Sequence, residues 1–380
     1  MMRYLFIVII LLFSCTNDEV NYEGPIIKEL EISSVSETNV NENHASEGVM
    51  MTLGNGDIVK FYRLDEGVAG GHVGNGGKIV KRISIDNGMT WGEESTVYSD
   101  QYDDRNIRGG IINDNVILLF FRRYDANSFT PIDLNYIYSL DDGVTWSERE
   151  IIDFNIDLAY EVWIDNIVDL KNGKYLLPIH GVSYCEIRDL SFEDNQIVLS
   201  EPKWIWNFTG STDMKIDEPT FTYLGNGKIL GLFRDDNQYV PGSNYFQVQS
   251  SDSGVTWSSP VRTNICEPYF SPAPLIFFDD QNQKIITIGT DRRHPNNGDY
   301  LAKDSEIWIY ENSIDEVFEN PVNYSLIKKI NRPNPNNHML YGYPCFTKTS
   351  LNDYLIIFTD SHFDEQNEDA DLFQFKLSYK

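Results

Sequence analysis

Basic side chains recur along this acidic chain at a regular distance. Arg63, the pair Arg122-Arg123, His180, Arg234 and the pair Arg292-Arg293 follow one another at intervals of roughly 55 residues, each at the end of an apolar run. Just before the same runs stand Glu47, Arg108, Glu161, Glu218 and Tyr343. If the intervals are structural repeats around an axis, equivalent positions form rings, and both sets of side chains gather near one mouth. Guanidinium forks hold a carboxylate or sulfate in two-point geometry, so a ring of this kind suits a small anion. The run Asp103-Asp104-Arg105-Asn106-Ile107-Arg108 adds a carboxylate, Asp104, and two further cations, Arg105 and Arg108, where the second repeat begins. The expected anion contacts are Arg63, Arg105, Arg108, Arg123, His180, Arg234, Arg292 and Arg293. A phenol, Tyr343, and a carboxylate, Glu218, are the candidates for bond chemistry beside them.

The elements that must carry these residues show up as two interleaved repeats. The first is a turn, Ser84-Ile-Asp86-Asn-Gly88-Met-Thr90-Trp91, which recurs at Ser139 to Trp146 and at Ser250 to Trp257, with a faint copy at Ser313-Ile-Asp315. Asp and Gly build a tight turn between strands, and Thr and Trp pin it to its own sheet; the role is structural. The second is an apolar strand, a polar turn and another apolar strand, found at 52–63, 112–123, 169–180, 223–234, 277–289 and 349–360. These runs are β-branched and aromatic, broken by turn residues and without a sustained helical period, so they predict strands. Six units of about 55 residues use up the chain beyond residue 43 and leave no room for a second domain. Units too thin to bury a core alone do so by radial stacking, and the expectation is an all-β, six-bladed β-propeller over residues 44–380.

The Ser-x-Asp-x-Gly-x-Thr-Trp turn on such a repeat resembles the Asp-box (BNR repeat) of the bacterial sialidase (neuraminidase) superfamily. The likeness spans nearly everything from about residue 45 onward. It implies a site in which a tyrosine is the nucleophile, a glutamate takes its proton, an aspartate is the acid/base and three arginines clamp the substrate carboxylate. Asp217-Glu218-Pro219 with Arg234 is similar to the segment that supplies the glutamate and one arginine, and Gly342-Tyr343-Pro344 to the one that supplies the tyrosine; Arg292-Arg293 stand where another arginine belongs. The sequence departs from the pattern twice. No arginine occurs near Ser46-Glu47-Gly48, where the first is expected, and the loop Gly70 to Gly77 carries His72 in place of a carboxylate. That loop fails both nucleotide-binding glycine patterns, having Ile79 where a third glycine belongs and no Ser or Thr after Lys78. It reads as a flap that brings His72 over the pocket, an imidazole able to act as acid or base near neutrality.

Three functions are compatible with these residues. One is sialidase-like hydrolysis at the non-reducing end of an anionic oligosaccharide, with Tyr343 as nucleophile, Glu218 as its base and Asp104 or His72 as proton donor. Another is β-elimination on a uronic acid, as a lyase or dehydratase, with arginines neutralising the carboxylate and His72, Tyr343 or His180 moving the protons. The third is a surface protein that binds glycans without chemistry. The partner in each case is an anionic oligosaccharide, carboxylated and potentially sulfated; no cofactor is implied, and no metal spacing is present. A net charge of −28 repels a phosphate backbone and argues against nucleic acid.

The amino terminus and the cysteines set the compartment. Arg3 precedes an apolar run, Tyr4 to Phe13, too short to span a bilayer and shaped like a secretory signal core. It ends in Leu12-Phe13-Ser14-Cys15, which resembles a bacterial lipobox, so residues 1–15 are expected to be a signal peptide with Cys15 lipidated. Residues 16–43 are expected to be a flexible tether, and the protein to be exported and anchored in a bacterial envelope only through that lipid. Cys185, Cys266 and Cys345 match no disulfide or zinc pattern and read as buried free thiols.

Overall fold

Each apolar run that flanks a polar turn is an extended strand, and the six hairpins close at 53–57, 113–115, 170–174, 226–227, 280–283 and 349–353. The computed structural model describes residues 29–39, 43–66, 73–152, 162–181, 184–207, 216–235, 244–267, 272–291, 305–333, 341–363 and 368–380. The first sheet runs His44–Thr52, Ile58–Asp65, Gly77–Ser84 and Ser95–Tyr98, antiparallel throughout. Four further antiparallel sheets follow it along the chain. The last strands, Tyr341–Lys348, Tyr354–Phe363 and Glu368–Tyr379, form a sixth group, joined to the first sheet by one parallel bridge between Ala370 and His44.

Both faces of the inner hairpins are buried, which is why these strands read as continuous apolar runs and not as alternating ones. On Val116–Asp125, Leu118 and Phe120 join Leu177 and Ile179 of the third sheet, while Ile117, Leu119 and Phe121 join Val59 and Phe61 of the first. The same division recurs around the molecule. Leu176 meets Ile229, Leu232 meets Ile276, Phe277 meets Phe358, and Ile357 meets Ala45 and Val80. Six cores thus fill six gaps between neighbouring sheets, and the last gap lies between the end of the chain and its beginning. The result is an all-β propeller of six sheet units.

The three complete Ser-x-Asp turns share one hydrogen-bond scheme. In the first, Ser84 Oγ donates to Asp86 (2.8 Å) and accepts from the Gly88 amide (2.8 Å), and Asp86 accepts from the amide and hydroxyl of Thr90 (2.8 and 2.5 Å). Asp141 and Asp252 repeat it with Thr145 and Thr256. Gly88, Gly143 and Gly254 sit at φ of 79 to 83°, where a side chain is strained. The faint fourth copy is no such turn: Ser313 caps a short helix, Ile314–Val317. Cys185, Cys266 and Cys345 are buried and form no disulfide among the described residues.

The expected tether is corrected in its second half. Leu30–Ile32 and Ser36–Asn39 pair with the final strand Glu368–Tyr379. Without them that strand would be the bare edge of the last sheet, with unpaired backbone groups open to another chain. Lys60 reaches across to hold this segment, donating to Thr38 Oγ1 (2.9 Å). Cys15 and the apolar run before it lie outside the described residues.

Candidate active site

The inner strands are interrupted at matching places by β-bulges. The pairing shifts between Ser46 and Gly48, Arg105 and Arg108, Asp217 and Thr220, and Gly342 and Cys345. In each bulge a non-glycine residue takes a left-handed backbone: Glu47 (φ 45°), Asn106 (56°), Glu218 (45°) and Tyr343 (48°). Such residues are strained by about 1–2 kcal/mol, and strain of this kind concentrates at functional sites. A bulge re-aims side chains that the pleat would otherwise alternate. The local sequence supports it, since Pro219 and Pro344 have no N–H to lose from the ladder. Gly342 has φ 111°, and a Cβ there would lie 2.4 Å from Thr290 Oγ1.

All four bulge residues line one cavity of about 390 Å³. Arg105, Arg108, Arg122, Arg234, His180, Asp165, Asp217 and Trp163 share its wall. Arg234 donates to Glu218 Oε1 at 2.7 Å. His180 Nε2 lies 3.0 Å from Asp217 Oδ1, which also accepts the Glu218 amide (2.9 Å), so one carboxylate fixes both an imidazole and a bulge. Burial would raise the Asp217 carboxyl, but the hydrogen bond and charge of His180 and the charge of Arg234 hold it below the usual range. The His180 ring stacks on Trp163 (5.4 Å between centroids, 14° between planes), and Arg122 lies over the same indole at 4.8 Å. Arg108 pairs with Asp165 (3.4 Å), whose carboxyl is pushed up by burial against the pull of Arg108 and His180.

Of the residues singled out in the sequence, Tyr343, Glu218, Arg105, Arg108, His180 and Arg234 therefore share one cavity. Three do not line it. Arg63 occupies the register of Arg122 and Arg234, each opposite the residue before a bulge (Ser46, Arg105 and Asp217). Its guanidinium is drawn instead into a buried ion pair with Asp103 (2.7 Å) and Asp65 (3.1 Å), and it is 1% exposed. Arg123 and Asp104 face each other across the hairpin on its opposite side, one residue out of phase with the Arg105–Arg122 pair. Arg123 binds Asp133 and Asp100 there. Asp104, fully buried, accepts the Asp100 amide (3.1 Å) and is pushed up to about 8 by burial and the Asp100 charge. Asp104 belongs to the strand Asp103–Ile112.

His72, Arg292, Arg293 and Cys15 lie outside the described residues. The described end of the glycine-rich segment packs on the Arg63 ion pair: the Gly74 amide donates to Asp103 (3.2 Å), and a Cβ on Gly77 would lie 2.0 Å from Asp103 Oδ1. Close backbone approach, and not phosphate binding, is what requires glycine there. Of the pair Arg122-Arg123 it is Arg122, and not the expected Arg123, that reaches the cavity, and Trp163 and Asp165, which no motif marks, share its wall. Asp165 sits between the strand pieces Val162–Ile164 and Val168–Asp169, where no pattern marks it.

The chain belongs to the BNR repeat-like domain family, whose pattern matches residues 78–281. No curated protein matches the sequence. Among solved structures, the fold is similar to a protein of unknown function from Dyadobacter fermentans (14% identity, TM-score 0.69, covering 92% of this chain and 99% of that one). It is also similar to the NanB sialidase of Streptococcus pneumoniae (11%, 0.64, covering 91% and 70%). A third is the intramolecular trans-sialidase of Ruminococcus gnavus (12%, 0.63, covering 89% and 95%). At these identities the likeness is one of fold.

Proposed function

We propose that this protein is a carbohydrate-active enzyme that acts on the acidic sugar at the non-reducing end of an anionic oligosaccharide. One observation carries the reading: Tyr343 and Glu218, on equivalent bulges of distant strands, open onto the same cavity as Arg105, Arg108, Arg122 and Arg234. The sialidases among the structural neighbours support it. In sialidase-like hydrolysis Tyr343 Oη attacks the anomeric carbon and its proton passes to Glu218. Arg234 occupies Glu218 Oε1, and Oε2 has no hydrogen-bond partner among the described residues, which leaves an acceptor for that proton. A phenol suits this task because a carboxylate nucleophile would be repelled by an anionic sugar. The glycosidic C–O bond breaks as the departing oxygen takes a proton from solvent; water then attacks the anomeric carbon, breaks its bond to Tyr343 and returns a proton to the phenolate, while Glu218 releases its own.

A second reading, elimination on a uronic acid, is favoured by the exclusion of Asp104 from the cavity and the presence of His180 in it. Arginines neutralise the carboxylate, His180 takes the C5 proton, the C4–oxygen bond breaks as a C4=C5 double bond forms, and Tyr343 protonates the departing oxygen. The test is incubation with oligosaccharides ending in sialic acid or uronic acid, followed by mass and ultraviolet absorbance. Cleavage with added water and no new absorbance identifies the hydrolase. Cleavage with new absorbance identifies a lyase, and loss of one water with new absorbance a dehydratase. Binding without change of mass reduces the protein to a glycan-binding one. In this proposal Cys15 carries a lipid and the enzyme works at a bacterial envelope; mass spectrometry of the amino-terminal peptide tests that part.

A further inference from the structure

Three polar atoms in the cavity wall are held in place by their own neighbours and left without a hydrogen-bond partner among the described residues. Asn106 Nδ2 donates to Glu47 Oε2 (2.9 Å). A carboxylate only accepts, so the amide orientation is fixed and Asn106 presents its oxygen. His180 is anchored in the same way: its Nε2 is held by Asp217 (3.0 Å), which leaves Nδ1 as the ring's remaining polar atom. Asp165 Oδ1 takes Arg108 and the Asn166 amide (2.7 Å), which leaves Oδ2. Asn106 Oδ1, Asp165 Oδ2 and His180 Nδ1 are all withdrawn from solvent and have no hydrogen-bond partner among the described residues. All three belong to residues lining the one cavity.

They also lie along one seam. Asp165 directly follows the strand piece Val162–Ile164, which pairs with the strand of His180; Trp163 faces His180 there, and the Asp165 amide donates to Pro178 (3.0 Å). Asn106 and Arg108 lie on the adjoining inner strand of the second sheet, tied across by Gly109, whose amide donates to Asn166 (3.1 Å). A buried acceptor without a donor costs as much as a lost hydrogen bond. The two locked acceptors, Asn106 Oδ1 and Asp165 Oδ2, beside the anchored imidazole form a preorganised polar surface that favours a hydrogen-bond donor.

We propose that this seam is a hydroxyl-recognition subsite, which resting on the acidic-sugar reading defines the substrate further: its ring carries free hydroxyl donors on the face turned away from its anion. Ester, sulfate and ether substituents on those hydroxyls bring acceptors or no donors, and the seam rejects them. The anion belongs with Arg105, Arg122 and Arg234, since Asp165 would repel it.

The test is calorimetric binding to the intact protein. The probes are the methyl glycosides of glucuronic acid and N-acetylneuraminic acid, and methyl glucoside. The tighter acid is then taken through a series in which one ring hydroxyl at a time is replaced by fluorine, similar in size but no donor. The expected result is that at least one fluoro-sugar binds about tenfold more weakly than its parent. Asp165→Asn, which keeps the shape and the Oδ1 contacts, is expected to shrink that difference. If every fluoro-sugar binds as its parent does, the subsite is overturned while the acidic-sugar reading stands. If methyl glucoside binds as well as the acids, the acidic-sugar reading falls and the fluorine series still judges the subsite. If no probe binds, both are overturned.

Discussion

Two adjacent arginines offer a sharp test, because the strand sends them to opposite sides. Arg122→Gln removes a cation from the cavity wall, and Arg123→Gln removes one from an ion-pair cluster behind it. A charge-assisted hydrogen bond to a bound anion contributes roughly 1.5–3 kcal/mol, so Arg122→Gln is expected to lower kcat/KM about 10- to 150-fold on an acidic glycoside. Arg123 holds Asp133 through two bonds (2.8 and 2.5 Å) and Asp100 through a third (2.8 Å). Stranding a fully buried carboxylate costs about 3–5 kcal/mol. Here Asp133 keeps 9% exposure and Arg149 at 3.7 Å, so about 2–3 kcal/mol is the better figure. For a chain of this size that lowers Tm by roughly 3–4 °C. Scanning calorimetry and steady-state kinetics on both variants give the answer. If Arg123→Gln loses activity at an unchanged Tm while Arg122→Gln unfolds early and retains its kcat/KM, the assignment of sides is wrong.

Other perturbations follow from the same contacts. Asp104 has its folded pKa raised to about 8, so the folded state holds its proton while the unfolded state releases it above about pH 4. Stability from this group is present below pH 4 and lost as pH rises toward 8; Asp104→Asn should raise Tm at pH 7.5, with the gain vanishing by pH 4. Gly77→Ala places a Cβ 2.0 Å from Asp103 Oδ1 and should destabilise by about 1–3 kcal/mol in urea titration, with Gly54→Ala, where a Cβ meets nothing within 4 Å, as the mild control. Deleting residues 1–28 should leave Tm nearly unchanged, whereas deleting 1–40 bares the edge of the final strand and should lower Tm and promote self-association in light scattering.

The sequence made the architecture legible because the turn motif depends on local bonds. Ser84, Asp86, Gly88 and Thr90 close their turn through hydrogen bonds that each reach four positions along the chain, so the pattern survives as a readable string. The recurrence of a cation at the end of these strands was legible as well, since Arg63, the pair Arg122-Arg123 and Arg234 follow the repeat interval. What the register could not convey is that Arg63 is captured by Asp103, forty positions away, while Arg234 faces the cavity with Glu218. The choice between Arg122 and Arg123 was hidden for another reason: Val116–Asp125 is buried on both faces, so alternation leaves no polar trace to show which side is which. Asp165 was invisible because its role comes from Arg108 and His180, in neighbouring strands, and not from residues beside it.

The pairing of Leu30–Ile32 and Ser36–Asn39 with Glu368–Tyr379 joins segments that lie more than three hundred residues apart in the chain. During synthesis the first-made of these segments has no mate until residues 368–379 emerge, so the nascent molecule carries an open seam while everything between them is translated. A chain cut short before residue 368 keeps sheets that can stack but lacks the strand that locks the last of them to the first.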